Sequence, residues 1–339
     1  MPEFMRKKGK FRLFLTSFLL FFLLALPVAA WAVTYYRVMP GDSLWQIARR
    51  FGTTVSELMA ANNLHGDLIY PGQTLAVPDG SSSTAPDYGP LKQQIENYLA
   101  GQPGTYGVYF KDLISGRSFG INADLPLPAA STVKLPAVLF INYLVDRGNL
   151  DWQDKLTYRS DLHYQGGSGI LQFGVKDGDR YTLRTLTTLS ITLSDNIAYN
   201  MLRHFVGKET LAQFMRQLGG QTVFPNGQNL STARDMATYV QAALDFSQAS
   251  PDGRRLLDDM ANGIYNEGIP AQIPVGITVA HKEGFIWGSP GDVGVVFGSR
   301  PFIVTVLSQG VEDPDQGFAN IAAIAKMMYD YQESLARQQ

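Results

Sequence analysis

The sequence predicts an α+β protein in two folded parts: a small β-α-α-β unit over 34–78 and a larger domain over 91–339. Three observations predict it. Residues 36–78 carry a strand, two short helix patterns and a closing strand within one compact stretch. In the larger region, strand-like segments stand near both ends of the sequence. Between them, 131 to about 261 reads as mostly helical, so a sheet domain is joined to an all-α lobe.

The totals fit this division. At 339 residues the chain suits two units plus extras. A net charge of -2 gives no footing for nucleic-acid binding. With no cysteine, disulfides, Cys-ligated zinc and thiol catalysis are excluded. The four histidines show no metal-ligand spacing and no HExxH occurs, so no metal is expected.

Residues 1–33 read as an export segment. "RKKGKFR" is a basic flank, "LFLTSFLLFFLLALPVAAWA" (13–32) is apolar throughout, and Ala30-Trp31-Ala32 fits a small-residue cleavage site. The same run is long enough to span ~30 Å of hydrocarbon. A cleaved signal and a retained membrane anchor both remain open. Either way the chain is expected in the cell wall or outside the cell.

The unit over 34–78 follows. A strand (36–39) leads to the turn Pro40-Gly41-Asp42, and Ser43 opens a helix with Leu44, Ile47 and Ala48 on one face. A second helix starts near Val55 and ends by Asn62-Asn63, before the turn and strand of "YPGQTLAVP". The signals "GDSLWQIARRFG" and "ANNL…IYPGQTLAVP" resemble a LysM domain. That resemblance implies binding of N-acetylglucosamine glycans such as peptidoglycan or chitin. It implies sugar contacts from Gly41, Asp42, Ser43 and Leu44 and from Asp67, Leu68, Ile69 and Tyr70. Leu44 and Ile69 are equally readable as core. "DGSSSTAPDYGP" (79–90) has linker composition.

In the larger domain a helix (91–100) precedes the strands "GVYFKDLI" and "RSFGIN". Strands return at 277–284, 291–297 and 302–308, and a helix (315–335) closes the chain. Within the helical middle, "PAASTVKLPAVLF" places Ser131 three residues before Lys134. On a helix that spacing shares a face. Free serine needs an adjacent base, and a lysine serves if burial or a second cation lowers its pKa. The helix N-terminus offers free N–H groups to an oxyanion. An N-cap serine with a surface lysine would give the same pair. Two further motifs weigh against that reading: Ser194-Asp195-Asn196 before a helix, and Lys282-Glu283-Gly284 on a strand.

SxxK, then SDN, then Lys-x-Gly, in this order, resembles the penicillin-recognising serine enzymes, and most of all the class A β-lactamases. "STARDMATYV" (231–240) and "IPAQIPVGITVAHKEG" (269–284) support it. The resemblance implies a β-lactamase/transpeptidase-like domain, an antiparallel sheet flanked by helices with an all-α lobe. It implies Ser131 as nucleophile, Lys134 as its base, Ser194 as relay to the leaving nitrogen, Asn196 holding substrate and Lys134, and Lys282 orienting Ser194 and attracting a substrate carboxylate. The N–H groups of Ser131 and Phe285 would form the oxyanion hole, with no cofactor. Asp195 reads as a helix N-cap. Tyr164 could stack on a ligand, and Glu283, Gly284 and Arg234 would border it.

Two departures bear on function. The family's deacylating glutamate has no counterpart in "LGGQTVFPNGQNLST" (218–232), which contains no acid. Glu209 reads as a first-turn charge. Glu283 stands where the family has Thr or Ser, and an ionised glutamate would repel a substrate carboxylate unless Arg234 or His281 compensates. The expected function is an exported, glycan-tethered serine hydrolase acting on β-lactam or acyl-D-Ala-D-Ala-like amides. The alternatives are a D-alanyl-D-alanine carboxypeptidase, an esterase, or a non-hydrolytic penicillin-binding sensor.

Overall fold

A computed structural model of the chain describes residues 33–39, 42–64, 66, 68–78 and 86–337. The export segment, Gly41, Asp67 and most of the linker fall outside the described residues. In the first unit β1 (Val33–Arg37) precedes α1 (Leu44–Phe51), α2 (Val55–Ala61) and β2 (Thr74–Pro78). β1 and β2 pair antiparallel, from Val33 opposite Pro78 to Arg37 opposite Thr74. The periodic residues Leu44, Ile47 and Ala48 meet Val38, Leu58, Leu75 and Val77 in one small core. Thr54 starts α2 with a capping box: its hydroxyl accepts from Glu57 N, and Glu57 accepts from Thr54 N. Asn62 then ties α2 to β2, donating to the Leu58 and Ala76 carbonyls and accepting from Ala76 N.

The larger domain opens with α3 (Gly89–Leu99), β3 (Thr105–Asp112), β4 (Ser118–Ile121) and the short β5 (Leu127–Pro128). A 3₁₀ turn (Ala130–Val133) feeds α4 (Lys134–Asp146). Then come β6 (Lys155–Thr157), α5 (Ser160–His163), β7 (Arg180–Thr182), α6 (Leu183–Thr192), α7 (Asn196–Val206), α8 (Lys208–Gln217), β8 (Leu230–Ser231), α9 (Ala233–Ala249) and α10 (Pro251–Ala261). The chain returns through β9 (Val279–Ile286), β10 (Ser289–Val296) and β11 (Phe302–Gln309) to α11 (Pro314–Arg337).

Five strands form the expected antiparallel sheet in the order β4-β3-β11-β10-β9. Chain ends and late strands meet here because β11 pairs with β3, from Phe302 opposite Asp112 to Gln309 opposite Thr105. All eight residues of β10 are buried, as a strand covered on both faces requires. One face packs on α3 and α11 through Leu91, Ile95, Phe110, Phe302 and Ile321. The other packs on the helical lobe, whose central helix α4 buries Leu135, Ala137, Val138, Leu139 and Ile141. A helix buried without a break from Lys134 to Leu139 sits at the centre of a lobe. Its first residue, Lys134, is therefore carried into the interior. Val33–Gln339 clusters as one compact unit, with Trp45 of α1 edge-on to Phe297 at 6.2 Å.

Candidate active site

Ser131 lies in the 3₁₀ turn, and the regular helix begins at Lys134 rather than at the serine. Ala130, just before it, has φ +46°, and Ser194 has φ +50°. Left-handed backbone is costly for residues with a Cβ, and such strain concentrates at working sites. Phe224, at φ +46°, shares it, and all three residues border one cleft.

That cleft measures about 840 Å³ and is lined by Ser131, Lys134, Ser194, Asn196, Glu283, Gly284 and Phe285 among others. Lys134 is 2% exposed. Its Nζ donates to the Ser194 carbonyl, to Ser194 Oγ at 3.1 Å and to Asn196 Oδ1 at 2.7 Å. The direct Ser131–Lys134 hydrogen bond expected from the spacing is not among these contacts; Ser131 lies in the 3₁₀ turn ahead of α4. Burial, and then the charge of Lys282, lower the Lys134 pKa to about 6, against a smaller opposing pull from Asp195. An amine so depressed is largely neutral at pH 7 and can accept a proton.

Asn196 also donates to the Gly166 carbonyl at 2.9 Å, so it anchors a cleft-wall loop and Lys134 together. Asp195 is fully buried, accepting from Ala198 N and Leu171 N, both at 2.9 Å; this is the expected N-cap. Gly169 must be glycine there, since a Cβ would collide with the Asp195 carboxylate. Lys282 is 2% exposed, its pKa lowered by burial. Its Nζ donates to the Glu283 carbonyl at 2.7 Å, not to Ser194 as expected.

Gly284 proves to be a spacing residue as well as a cleft wall. A Cβ there would come 2.6 Å from Ser131 N and 2.8 Å from Thr132 N. Its bareness lets β9 lie directly against the Ser131 turn, with the next residue, Phe285, also lining the cleft. Two anticipated binding residues are corrected. Arg234 leaves the cleft, held bidentately by Asp124 at 2.6 and 3.0 Å and stacked over Tyr109. Tyr164 is 61% exposed and does not line the cleft; its hydroxyl lies beside Gly166 instead. His281 is likewise committed, to Asp292 at 2.9 Å and Asn266 at 3.2 Å.

Glu283 does line the cleft, and Glu267 with it. Its pKa is raised, first by burial, then by the charge of Asp292, with Glu267 adding and Lys282 opposing. The expectation of a simply ionised Glu283 is thereby revised toward the protonated form. Glu209 is exposed on α8 and away from the cleft. The sequence reading missed Tyr199, Arg203, Lys208, Asn229, Tyr265 and Phe318, all lining residues. Nothing in their local sequence marks them, since the fold alone gathers them.

On the glycan module, Asp42 accepts from Tyr36 Oη and Met39 N at 2.7 Å, and Ser43 forms a capping box with Gln46. Both polar side chains thus shape the loop. Leu44 is 2% exposed and Ile69 packs on the core, so these two anticipated contacts serve the interior. Leu68 and Tyr70 are 67% and 63% exposed.

Comparison with known proteins agrees with this geometry. Residues 90–332 match the Beta-lactamase2 family, described as "Beta-lactamase enzyme family", and residues 36–78 match the LysM domain. A β-lactamase of Bacillus licheniformis is 27% identical over 244 residues, 66% of this chain and 75% of that protein. The solved structure of PBP-A is 33% identical with a TM-score of 0.68, covering 73% of this chain and 97% of that one. A point mutant of PBP-A, solved as an acyl-enzyme complex with penicillin G, has a TM-score of 0.69 and 32% identity, covering 74% of this chain and 99% of that one. A probable autolysin of Staphylococcus aureus is 51% identical over 53 residues, and the chain spans only 20% of that protein.

Proposed function

Because the chain belongs to the beta-lactamase enzyme family, with a LysM domain ahead of that unit, we propose that it is an exported, cell-wall-associated acyl-serine hydrolase. One observation carries this reading: a buried, proton-poor Lys134 joined to Ser194 and Asn196 in the cleft that Ser131 opens onto. Ser131 Oγ attacks the carbonyl carbon of an amide. Its proton passes to Lys134 through a bridging water. The Oγ–C bond forms, and the N–H groups of Ser131 and Phe285 take the oxyanion, worth ~3 kcal/mol per donor. The C–N bond then breaks, the leaving nitrogen gaining its proton through Ser194. Water later cleaves the ester and restores the Ser131 hydroxyl.

Substrates are β-lactams or peptidoglycan-like acyl peptides. LysM domains bind N-acetylglucosamine glycans, so Leu68 and Tyr70 are the exposed side chains placed to meet the wall. Within this class, the acid-free stretch 218–232 favours a penicillin-binding peptidase or esterase over an efficient β-lactamase. Intact-protein mass after exposure to penicillin G is the test. A covalent adduct lost in Ser131→Ala is expected; no adduct with any acyl donor would overturn the reading.

A further inference from the structure

Among the described residues, three cationic side chains line the cleft: Lys134, Arg203 and Lys208. Lys134 is the base. The other two stand near the end of α7 and at the start of α8, on either side of Gly207, and both are half-buried. Neither belongs to an ion pair among the described residues. The carboxyl groups that line the cleft come from other elements: Glu267 ahead of β9, Glu283 on β9 and Asp315 on α11. Lys282, on β9, does not line the cleft and donates to the Glu283 carbonyl.

Helix α7 turns one polar face to the cleft. Asn196, Tyr199, Asn200 and Arg203 recur at i, i+3, i+4 and i+7, and all four line it. The first three are committed within the protein. Asn196 holds Lys134 and Gly166, and Asn200 donates to the His163 carbonyl and to Gln165 Oε1. The Tyr199 ring centroid lies 5.9 Å from Lys134 Nζ. The Arg203 charge acts on that same tyrosine, opposing the burial that pushes its pKa up to about 12. Arg203 therefore continues the face from the reacting end of the cleft. Its Nε is buried without a hydrogen-bond partner, while its Nη2 meets the exposed His204 Nε2 at 3.3 Å. A buried donor left unmade is costly, and the planar fork of a guanidinium matches a carboxylate.

Lys208 is held in place beside this face. Its Nζ donates to the Gly227 carbonyl at 3.1 Å and lies 5.7 Å from the Phe224 ring centroid. Both partners line the cleft from the loop between α8 and α9. An ammonium has three donors, so two remain for a ligand.

We propose that Arg203 and Lys208 form an anion subsite in this cleft that takes a carboxylate of the acyl donor. The proposal rests on the acyl-serine reading above and narrows its substrate class to anionic acyl peptides. The carboxylate belongs either to the acyl group or to the leaving group, and the test separates the two.

The test uses the full chain and four thioesters: N-succinyl-D-alanyl or N-succinamyl-D-alanyl, each joined to thioglycolate or to thioglycolamide. Each rate is corrected for hydroxide hydrolysis. Thiol release gives kcat/KM, and Ser131 acylation is followed by mass in parallel. At pH 7 and low salt we expect the parent to favour at least one carboxylate over its matching amide about tenfold or more. Rising ionic strength should shrink that ratio, since half-exposed charges are screened. Arg203→Gln combined with Lys208→Gln should bring the ratio to about unity. A response on the succinyl side places the carboxylate on the acyl group, and one on the thioglycolate side places it on the leaving group. The parental ratio decides even if the double variant folds poorly: no preference for either carboxylate overturns the proposal. A preference that the folded double variant keeps overturns it too. If Ser131 is acylated without the preference, the subsite alone fails. If no thioester acylates it, the acyl-serine reading fails and the subsite with it.

Discussion

Gly284 backs onto Ser131 with no room between them: a Cβ on the glycine would sit 2.6 Å from the Ser131 nitrogen. Backbone lies on the other side of that contact, so no flexible side chain can yield. Gly284→Ala must therefore push β9 away from the turn that carries the nucleophile. A displaced oxyanion donor typically costs about 10²–10³-fold in rate. We expect acylation by a chromogenic cephalosporin to fall by that factor in stopped-flow measurements. An alanine variant acylating at the parental rate would show that the contact is dispensable.

Lys134 sets the pH profile. The neutral amine is the active form, and its pKa is lowered to about 6. Acylation should accordingly rise with pH through about 6 and be near its plateau at neutrality. An ordinary lysine would keep it climbing toward ~10.4. Lys134→Ala removes the base and should cut acylation about 10²–10⁴-fold. Removing the Lys282 charge by Lys282→Ala takes away one cause of the depression, so the limb should move upward in pH. A limb that stays in place would assign the depression to burial alone.

The glycan module gives a separable effect. Leu68 and Tyr70 are exposed side chains between α2 and β2, whereas Asp42 and Ser43, between β1 and α1, are tied into local caps. The double change Leu68→Ala and Tyr70→Ala in the full chain should abolish most retention on insoluble peptidoglycan. Penicillin labelling of Ser131 should persist unchanged. Sedimentation with purified cell wall reads the first, and fluorescent penicillin the second.

Much of this architecture was legible in the residues. The small unit declares itself because its core residues alternate locally, as Leu44, Ile47 and Ala48 do. The sheet strands and the three motifs that meet at the cleft also stand in plain sequence. What was not legible depends on distance in the chain. Arg234 looked free, yet Asp124, 110 residues away, holds it. Glu283 looked ionised, yet the fold buries it and sets Asp292 opposite it once β9 and β10 pair, and both raise its pKa. The regular helix begins three residues after Ser131, behind a 3₁₀ turn on which Gly284 packs, a contact made across more than 150 residues of chain.

Asp195 offers a test of structure rather than chemistry. Its two oxygens satisfy the Ala198 and Leu171 amides inside the protein. Asp195→Ala leaves both donors buried and unpaired, at a cost of about 3 kcal/mol. For a domain of this size that corresponds to a fall in Tm of roughly 10 °C. Asp195→Asn keeps one acceptor and should recover about half. Calorimetry measures both, and an unchanged Tm for the alanine variant would show that water replaces the carboxylate.

Acylation and deacylation ask different things of this cleft. Attack by Ser131 needs a neutral Lys134, Ser194 and the two N–H groups, and these residues line one cavity. Hydrolysis of the ester needs a base holding water near the carbonyl. From the loop between α8 and α9, Phe224, Gly227 and Asn229 line the cleft, and none of them is a base. The carboxyls that do line it, on Glu267, Glu283 and Asp315, belong to the sheet side. A missing general base typically costs about 10²–10⁴-fold, or roughly 3–5 kcal/mol of barrier. β-Lactams that acylate Ser131 should therefore stay. We expect a burst of chromogenic cephalosporin hydrolysis equal to one enzyme equivalent, followed by slow turnover, with acyl-enzyme dominating the steady-state mass spectrum. Fast turnover with mostly free enzyme would mean that a sheet-side carboxyl serves as the base. Glu267→Gln and Glu283→Gln would then identify which one, by converting that fast turnover back into a burst.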